Sequence, residues 1–188
     1  MIGAGYVGLV SGACFADFGH HVTCVDKDAD RIAALRKGVM PIFEPGLVEL
    51  VDSNQREGRL DFTTELAAPV QASAAVFIAV GTPSRRGDGH ADLSYVYAAA
   101  REIADSIAGF TVVITKSTVP VGTGDEVERI IAQARPDADV AVASNPEFLR
   151  EGAAIQDFKH PDRIVVGSDD VRAREVMSEL YQIGRVHV

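Results

Sequence analysis

Strand-length apolar runs alternate along this chain with helix-patterned segments. A glycine-rich turn stands at its start, and an acidic residue closes the strand that follows. Together these predict an α/β fold: a Rossmann-type, doubly wound, mostly parallel sheet with helices on both faces. Only Met1 and Ile2 precede the turn Gly3-Ala4-Gly5-Tyr6-Val7-Gly8. The first strand is therefore expected to be truncated, with the chain beginning inside it.

Leu9 to Phe18 reads as a helix, with Val10, Cys14 and Phe18 four apart and Gly19 closing it. Val22-Thr23-Cys24-Val25 is a short β-rich run. Asp28 to Lys37 is helical, carries Ile32 and Leu35 on one face and stops at Gly38. Leu60 to Thr63 is a strand. Ala75 to Val80 is continuously apolar, as a strand buried on both faces should be. Leu93 to Ile107 is helical, and Thr111 to Thr115 is a strand that Pro120 prevents from extending. Thr123 and Glu126 have the spacing of a capping box and open the next helix. Val140 to Ala143 and Ile164-Val165-Val166 supply the last strands. Between them Ser144-Asn145-Pro146-Glu147 reads as a helix start capped by Ser144. "PIFEPGL" reads as a rigid turn without direct chemistry.

The 188 residues suit one domain, and 47% apolar residues suffice for a filled core. A formal charge of −9, with no basic run longer than Arg85-Arg86, argues against a nucleic-acid surface. The longest apolar run, Ala74 to Val80, is far short of the roughly 20 residues that span a bilayer, and no basic-then-apolar leader is present. Cys14 and Cys24 lie in apolar surroundings and are expected to be buried free thiols in a reducing cytoplasm. His20, His21 and His160 lack metal-ligand spacing, so no metal is expected.

Ligands of such sheets bind beyond the carboxyl ends of the strands. The glycine turn opens a helix whose N-terminal N–H groups and dipole favour a pyrophosphate. Asp26 stands 18 residues past Gly8, close to the spacing at which an acid accepts hydrogen bonds from an adenosine ribose and repels a 2′-phosphate, favouring NAD over NADP. The plain alternative is an ordinary glycine turn with a strand-end Asp capping a helix. Arg31 either reaches an adenosine phosphate or lies on a solvated helix face. Thr118 either orients a water or a cofactor amide or simply ends a strand. Arg85 to His90 is either a flap over the nicotinamide or a surface loop. Glu147 is either a capping acid or, at the crevice mouth, a general base for water. Glu151 would lie one helical turn on, so that both acids face one site.

Longer stretches carry a resemblance. "GAGYVGLVSG", "PIFEPGLVEL", "FIAVGTPSRRGDGHADLSYV", "TKSTVPVGTG" and "SNPEFLREGAAIQDFKHPDRIVVG" resemble the N-terminal part of the UDP-glucose/GDP-mannose dehydrogenase family, from Met1 to about Tyr181. "KSTVPVGT" and "NPEFLREG" look more like the UDP-glucose enzymes than the GDP-mannose or N-acetylmannosamine ones. The resemblance implies a two-step oxidation of a sugar C6 alcohol by two NAD, through a cysteine thioester that water hydrolyses. It implies an NAD-binding domain over 1–188, with the family's central helix and C-terminal UDP-sugar-binding domain outside this sequence, and a homo-oligomeric full-length enzyme.

Carried over by motif, Gly3, Ala4, Gly5, Tyr6, Val7, Gly8, Asp26 and Arg31 would hold the adenosine diphosphate. Val80, Gly81, Thr82, Pro83, Ser84, Ser117, Thr118, Val119 and Glu151 would line the nicotinamide side. Glu147, Phe148, Leu149, Arg150 and Glu151 would meet the UDP-sugar, with Glu147 near the hydrolytic water and Thr118 beside the chemistry. The family's cysteine nucleophile and assisting lysine fall outside the matched stretch, and neither Cys14 nor Cys24 has the exposed, electropositive setting a thiolate needs. Two alternatives stay open: an NAD-binding fragment without turnover, and a relative that oxidises UDP-N-acetylmannosamine or GDP-mannose.

Overall fold

Ile2 joins two half-sheets. Its N–H donates to the Phe77 carbonyl at 2.7 Å, and its carbonyl accepts from the Ala79 N–H at 2.8 Å. On the other side the Val25 N–H donates to the Met1 carbonyl at 2.8 Å and the Gly3 N–H to the Val25 carbonyl at 2.7 Å. A computed structural model of the chain describes residues 1–85 and 90–182. In it β1 (Val22–Val25) pairs in parallel with β2 (Leu60–Thr63), Val22 opposite Leu60. β3 (Ala75–Ile78), β4 (Thr111–Thr115) and β5 (Val140–Ser144) form the other half, also parallel, with Ala75 opposite Val112 and Thr111 opposite Val140. With Ile2 paired to both Val25 and Ile78, the spatial order is β2-β1-Ile2-β3-β4-β5. This is the order of a dinucleotide-binding sheet, and its switch point falls at Ile2.

The helices in chain order are α1 (Tyr6–Asp17), α2 (Ala29–Arg36), α3 (Leu47–Arg56), α4 (Ala67–Gln71), α5 (Ser94–Ala104), α6 (Thr123–Ala134), α7 (Ala154–Lys159) and α8 (Val171–Gln182). They cover both faces, because alternate strand residues point opposite ways. Phe77, Val112 and Ile114 pack with α1, α3, α7 and α8, while Val76, Ile78 and Val113 pack with α4, α5 and α6. Gly8 to Ala16 of α1 are buried without a break. That fits a helix with apolar residues all round, set in the middle of a layer.

Strand and helix assignments from the sequence recur closely, α2 included: Asp28 caps it by accepting the Arg31 N–H at 3.0 Å. Three details differ. Thr123 and Glu126 form no capping box; Gly122 precedes α6, the Thr123 hydroxyl donates to the Pro120 carbonyl at 2.7 Å, and Glu126 pairs with Arg129. Ile164-Val165-Val166 makes no strand, since the Val165 carbonyl is taken by the Asn145 side chain and only Gly167 pairs, antiparallel, with Ser144. No helix starts at Ser144: it ends β5, and α7 begins only at Ala154. Glu147 and Glu151 therefore do not share a helical face. Cys14 and Cys24 are free and buried, and burial pushes their thiols up to about 12 and about 11. No helix among the described residues is long and apolar enough to cross a membrane.

Phe15 of α1 is the centre of an aromatic cluster, 4.9 Å from Phe158, 5.2 Å from Phe77 and 5.2 Å from Tyr181 between ring centroids. It ties α1 to the sheet, α7 and α8 at once. Phe15→Ala should lower unfolding free energy by about 3–5 kcal/mol, read from the midpoint of a urea titration.

Candidate functional site

The glycine turn has three distinct steric duties. Gly3 has φ +99°, and a Cβ there would lie 2.7 Å from the Ala79 carbonyl oxygen. A Cβ on Gly8 would collide with the Gly3 carbonyl oxygen, so α1 closes directly onto the turn. Gly5 faces open space, with nothing within 4 Å of a would-be Cβ. That is the arrangement of a pyrophosphate turn: one glycine for the bend, one for ligand approach, one for helix–strand packing.

Gly3 and Gly5 face a cavity of about 840 Å³, whose wall also holds Asp26, Arg31, Val80, Gly81, Thr82, Pro83 and Tyr95. Asp26, at the end of β1, accepts the Ala4 N–H at 2.8 Å and the Arg31 guanidinium at 2.9 Å on Oδ2, and the Asp28 N–H at 3.0 Å on Oδ1. Burial pushes the Asp26 carboxyl up, but these N–H groups and the Arg31 charge outweigh it and hold it below its ordinary range. Arg31 is thereby fixed as a neighbour of the acid, with Asp28 a second carboxylate at 3.8 Å.

The loops after β3 and β4 are tied together. The Ser117 hydroxyl donates to the Val80 carbonyl at 2.7 Å, and the Thr82 hydroxyl to the Thr118 carbonyl at 3.4 Å. Thr118 is exposed, Ser117 buried and Val119 half-buried. Ser84 pairs antiparallel with Ala91, and the Arg85 N–H donates to the His90 carbonyl at 2.7 Å. The middle of the Arg85–His90 segment, 86–89, lies outside the described residues.

A second cavity, of about 580 Å³, is lined by Glu147, Phe148, Leu149 and Arg150, together with Lys116, Asn145 and Tyr181. It shares no lining residue with the first. Glu147 caps its own turn by accepting the Leu149 N–H at 2.6 Å, and Arg150 pairs with Asp157 at 2.7 Å. Glu151 is exposed and lines neither cavity, and Ala4, Tyr6, Val7 and Gly8 line neither as well.

Two residues escaped the sequence reading. Glu44, in the segment taken for a mere turn, is 5% exposed. Its carboxylate accepts from the Tyr6 hydroxyl at 2.5 Å and from the Gly152 and Ala154 N–H groups at 2.8 Å each. It thus clamps the glycine turn to the loop after β5. The flanking prolines and glycine were legible; an acid with distant partners was not. Lys116 is buried at the end of β4, where a cation inside an apolar strand pattern was the available signal.

A phosphate-sized turn at the switch point of a parallel sheet, with an acid closing the adjacent strand, defines a dinucleotide-binding domain. The chain belongs to the UDP-glucose/GDP-mannose dehydrogenase family, whose NAD binding domain matches residues 1–184, and NAD is its cofactor. It is 74% identical over 184 residues to a UDP-glucose 6-dehydrogenase of Rhizobium meliloti (strain 1021), covering 97% of this chain and 42% of that protein. A UDP-glucose 6-dehydrogenase of Pseudomonas aeruginosa is 50% identical over 185 residues, covering 96% and 41%. Among solved structures, a UDP-glucose dehydrogenase from Pyrobaculum islandicum superposes with TM-score 0.92 at 44% identity over 96% of this chain and 43% of that one. A GDP-mannose dehydrogenase ternary complex from Pseudomonas aeruginosa gives 0.92 at 37%, over 96% and 43%. The chain thus spans about two fifths of these relatives.

The glycine geometry separates stability from binding. Gly8→Ala should destabilise the fold by about 1–3 kcal/mol through overpacking. Gly5→Ala should leave the melting temperature nearly unchanged yet weaken NAD in a calorimetric titration, because its Cβ projects into the ligand's space.

Proposed function

We propose that this chain is the cofactor half of a nucleotide-sugar dehydrogenase that converts UDP-glucose, two NAD and water to UDP-glucuronate and two NADH. The observation that carries the substrate is the 74% identity, across nearly the whole chain, to a protein named UDP-glucose 6-dehydrogenase. The identity to a GDP-mannose dehydrogenase is half that, 37%, so the GDP-mannose reading is the weaker alternative. Residues 1–188 act as one NAD-binding domain, and the nucleotide sugar is the partner molecule.

NAD, when bound, supplies the acceptor for each of the two hydrides that leave C6. The N–H groups at the start of α1 meet its pyrophosphate beside Gly5. Asp26 receives the adenosine ribose. Both acceptor directions of Oδ2 are filled by Ala4 and Arg31, whereas Oδ1 has only Asp28, so one ribose hydroxyl can bond at once and the second displaces Arg31. Arg31 would otherwise welcome a 2′-phosphate, but two carboxylates offset its charge. Thr82, Ser117 and Thr118 border the nicotinamide side. Glu147 takes a proton from the water that releases the product, and Phe148, Leu149 and Arg150 bound the sugar nucleotide. The thiol that a four-electron oxidation passes through is neither Cys14 nor Cys24: both are buried and their raised pKa values keep them protonated.

Titration of the chain with both cofactors should give tighter NAD than NADP binding, and Asp26→Ala should cost NAD about 1–3 kcal/mol. Equal or tighter NADP binding would remove Asp26 from the ribose site. Mixed with UDP-glucose and excess NAD, the 188-residue chain should form no NADH. Sustained formation of two NADH per sugar would show that a nucleophile lies within these residues after all.

A further inference from the structure

The cavity bounded by Glu147 has a lysine in its wall that the proposed chemistry does not use. Lys116 directly follows β4 and is 3% exposed; Asn145 directly follows β5 and is 1% exposed. The Lys116 ammonium donates to the Asn145 side-chain oxygen at 3.1 Å and to the Tyr181 hydroxyl at 3.4 Å. The Tyr181 hydroxyl donates to that same oxygen at 2.7 Å, and the Asn145 side-chain nitrogen donates to the Val165 carbonyl at 2.8 Å. The Asn145 N–H is held by the Thr115 carbonyl at 2.9 Å. Asn145 is therefore fixed through both its main chain and its amide, and Pro146 carries that fixation rigidly to Glu147.

A buried ammonium normally has a carboxylate partner, since an unpaired cation is costly to desolvate. Among the described residues none forms an ion pair with Lys116; the acid whose charge reaches it is Glu147, through space. If packing were its only duty, an apolar side chain of similar volume would serve as well or better. The cation stands instead between the ends of two adjacent strands, one residue before Ser117 and two before Thr118, where a parallel sheet meets its ligands.

We propose that Lys116 is a positioning residue: its charge fixes the Asn145 amide, and through Asn145-Pro146 sets the turn that presents Glu147 to the second cavity. The proposal rests on the reading that the 147–151 loop meets the sugar nucleotide.

Burial pulls Lys116 down to about 8, against the pull of Glu147 and Cys14. The groups that face it are Cys14 of α1, the Phe158 ring of α7 at 5.7 Å, Tyr181 of α8 and Glu147 on the loop. The thiol and the phenol are both pushed upward by burial, and so remain neutral while Lys116 loses its proton. Arg150, Asp157, His160, Asp162 and Arg163 stand further along the cavity wall.

The test is a series of ¹H–¹⁵N spectra of the 188-residue chain from about pH 6 to about pH 10. The Asn145 side-chain amide and the Leu149 N–H should shift together with a midpoint near pH 8. Lys116→Met should abolish that titration, and Lys116→Arg, which does not titrate here, should hold both signals near their low-pH positions. Signals that stay still in the unsubstituted chain overturn the proposal without any variant having to fold. A titration that persists in Lys116→Met belongs to another group and overturns it equally. UDP-glucose added to the same samples tests the underlying reading on its own. An unmoved Leu149 signal would take the loop out of the sugar-nucleotide site, while the pH-linked coupling would still establish Lys116 as the group that positions the turn.

Discussion

Three residues at the head of the chain, Met1, Ile2 and Gly3, carry four main-chain hydrogen bonds that make one sheet out of two. Ile2 and its neighbours pair with β1 on one side and β3 on the other. Everything functional follows from that join. The chain leaves the sheet at Gly3, turns in a conformation that L side chains rarely adopt, and enters α1 past Gly5, with both glycines in the cavity wall. The Gly3 N–H bond to Val25 also fixes how far Asp26 stands from the turn, so the Ala4 N–H can reach its carboxylate.

The crevice is divided along its length. Asp26, the glycine turn and the loop after β3 form one cavity; the residues after β4 and β5 form another. The hydroxyls of Thr82 and Ser117 lace the intervening loops, and Glu44 ties the first turn of α1 to Gly152 and Ala154. Burial pushes the Glu44 carboxyl up, yet the Tyr6 hydroxyl and the N–H groups of Gly152, Ala154 and Ile155 outweigh it and hold it low. The clamp is therefore a property of neutral solution. Its contribution is present above the ordinary carboxylate range and fades as pH falls through the depressed value.

How much of this the sequence disclosed depended on how local each cause was. β1 and β4 could be read because short β-rich runs are bounded by clear breakers, and α2 because Asp28 caps it within three residues. The glycine turn and Asp26 were legible because their spacing encodes their geometry. Ser144 to Glu147 misled for the complementary reason. The local pattern fits a helix cap, but Asn145 is bound by Lys116, Tyr181 and Val165, distant partners that override it. Thr123 was similarly diverted, to the Pro120 carbonyl. Glu44 and Lys116 could not be found by spacing, since their partners lie elsewhere in the chain.

The reach of Glu44 has a kinetic side. Its bonds span 38 residues to Tyr6 and 110 to Ala154. Neither can form by local collapse, and closing such long loops costs entropy before any contact repays it. The glycine turn therefore gains its final support only once the chain as far as Ala154 is in place. The cofactor crevice is thus among the last parts of the domain to acquire its shape, although its glycine turn precedes almost all of its partners in the sequence.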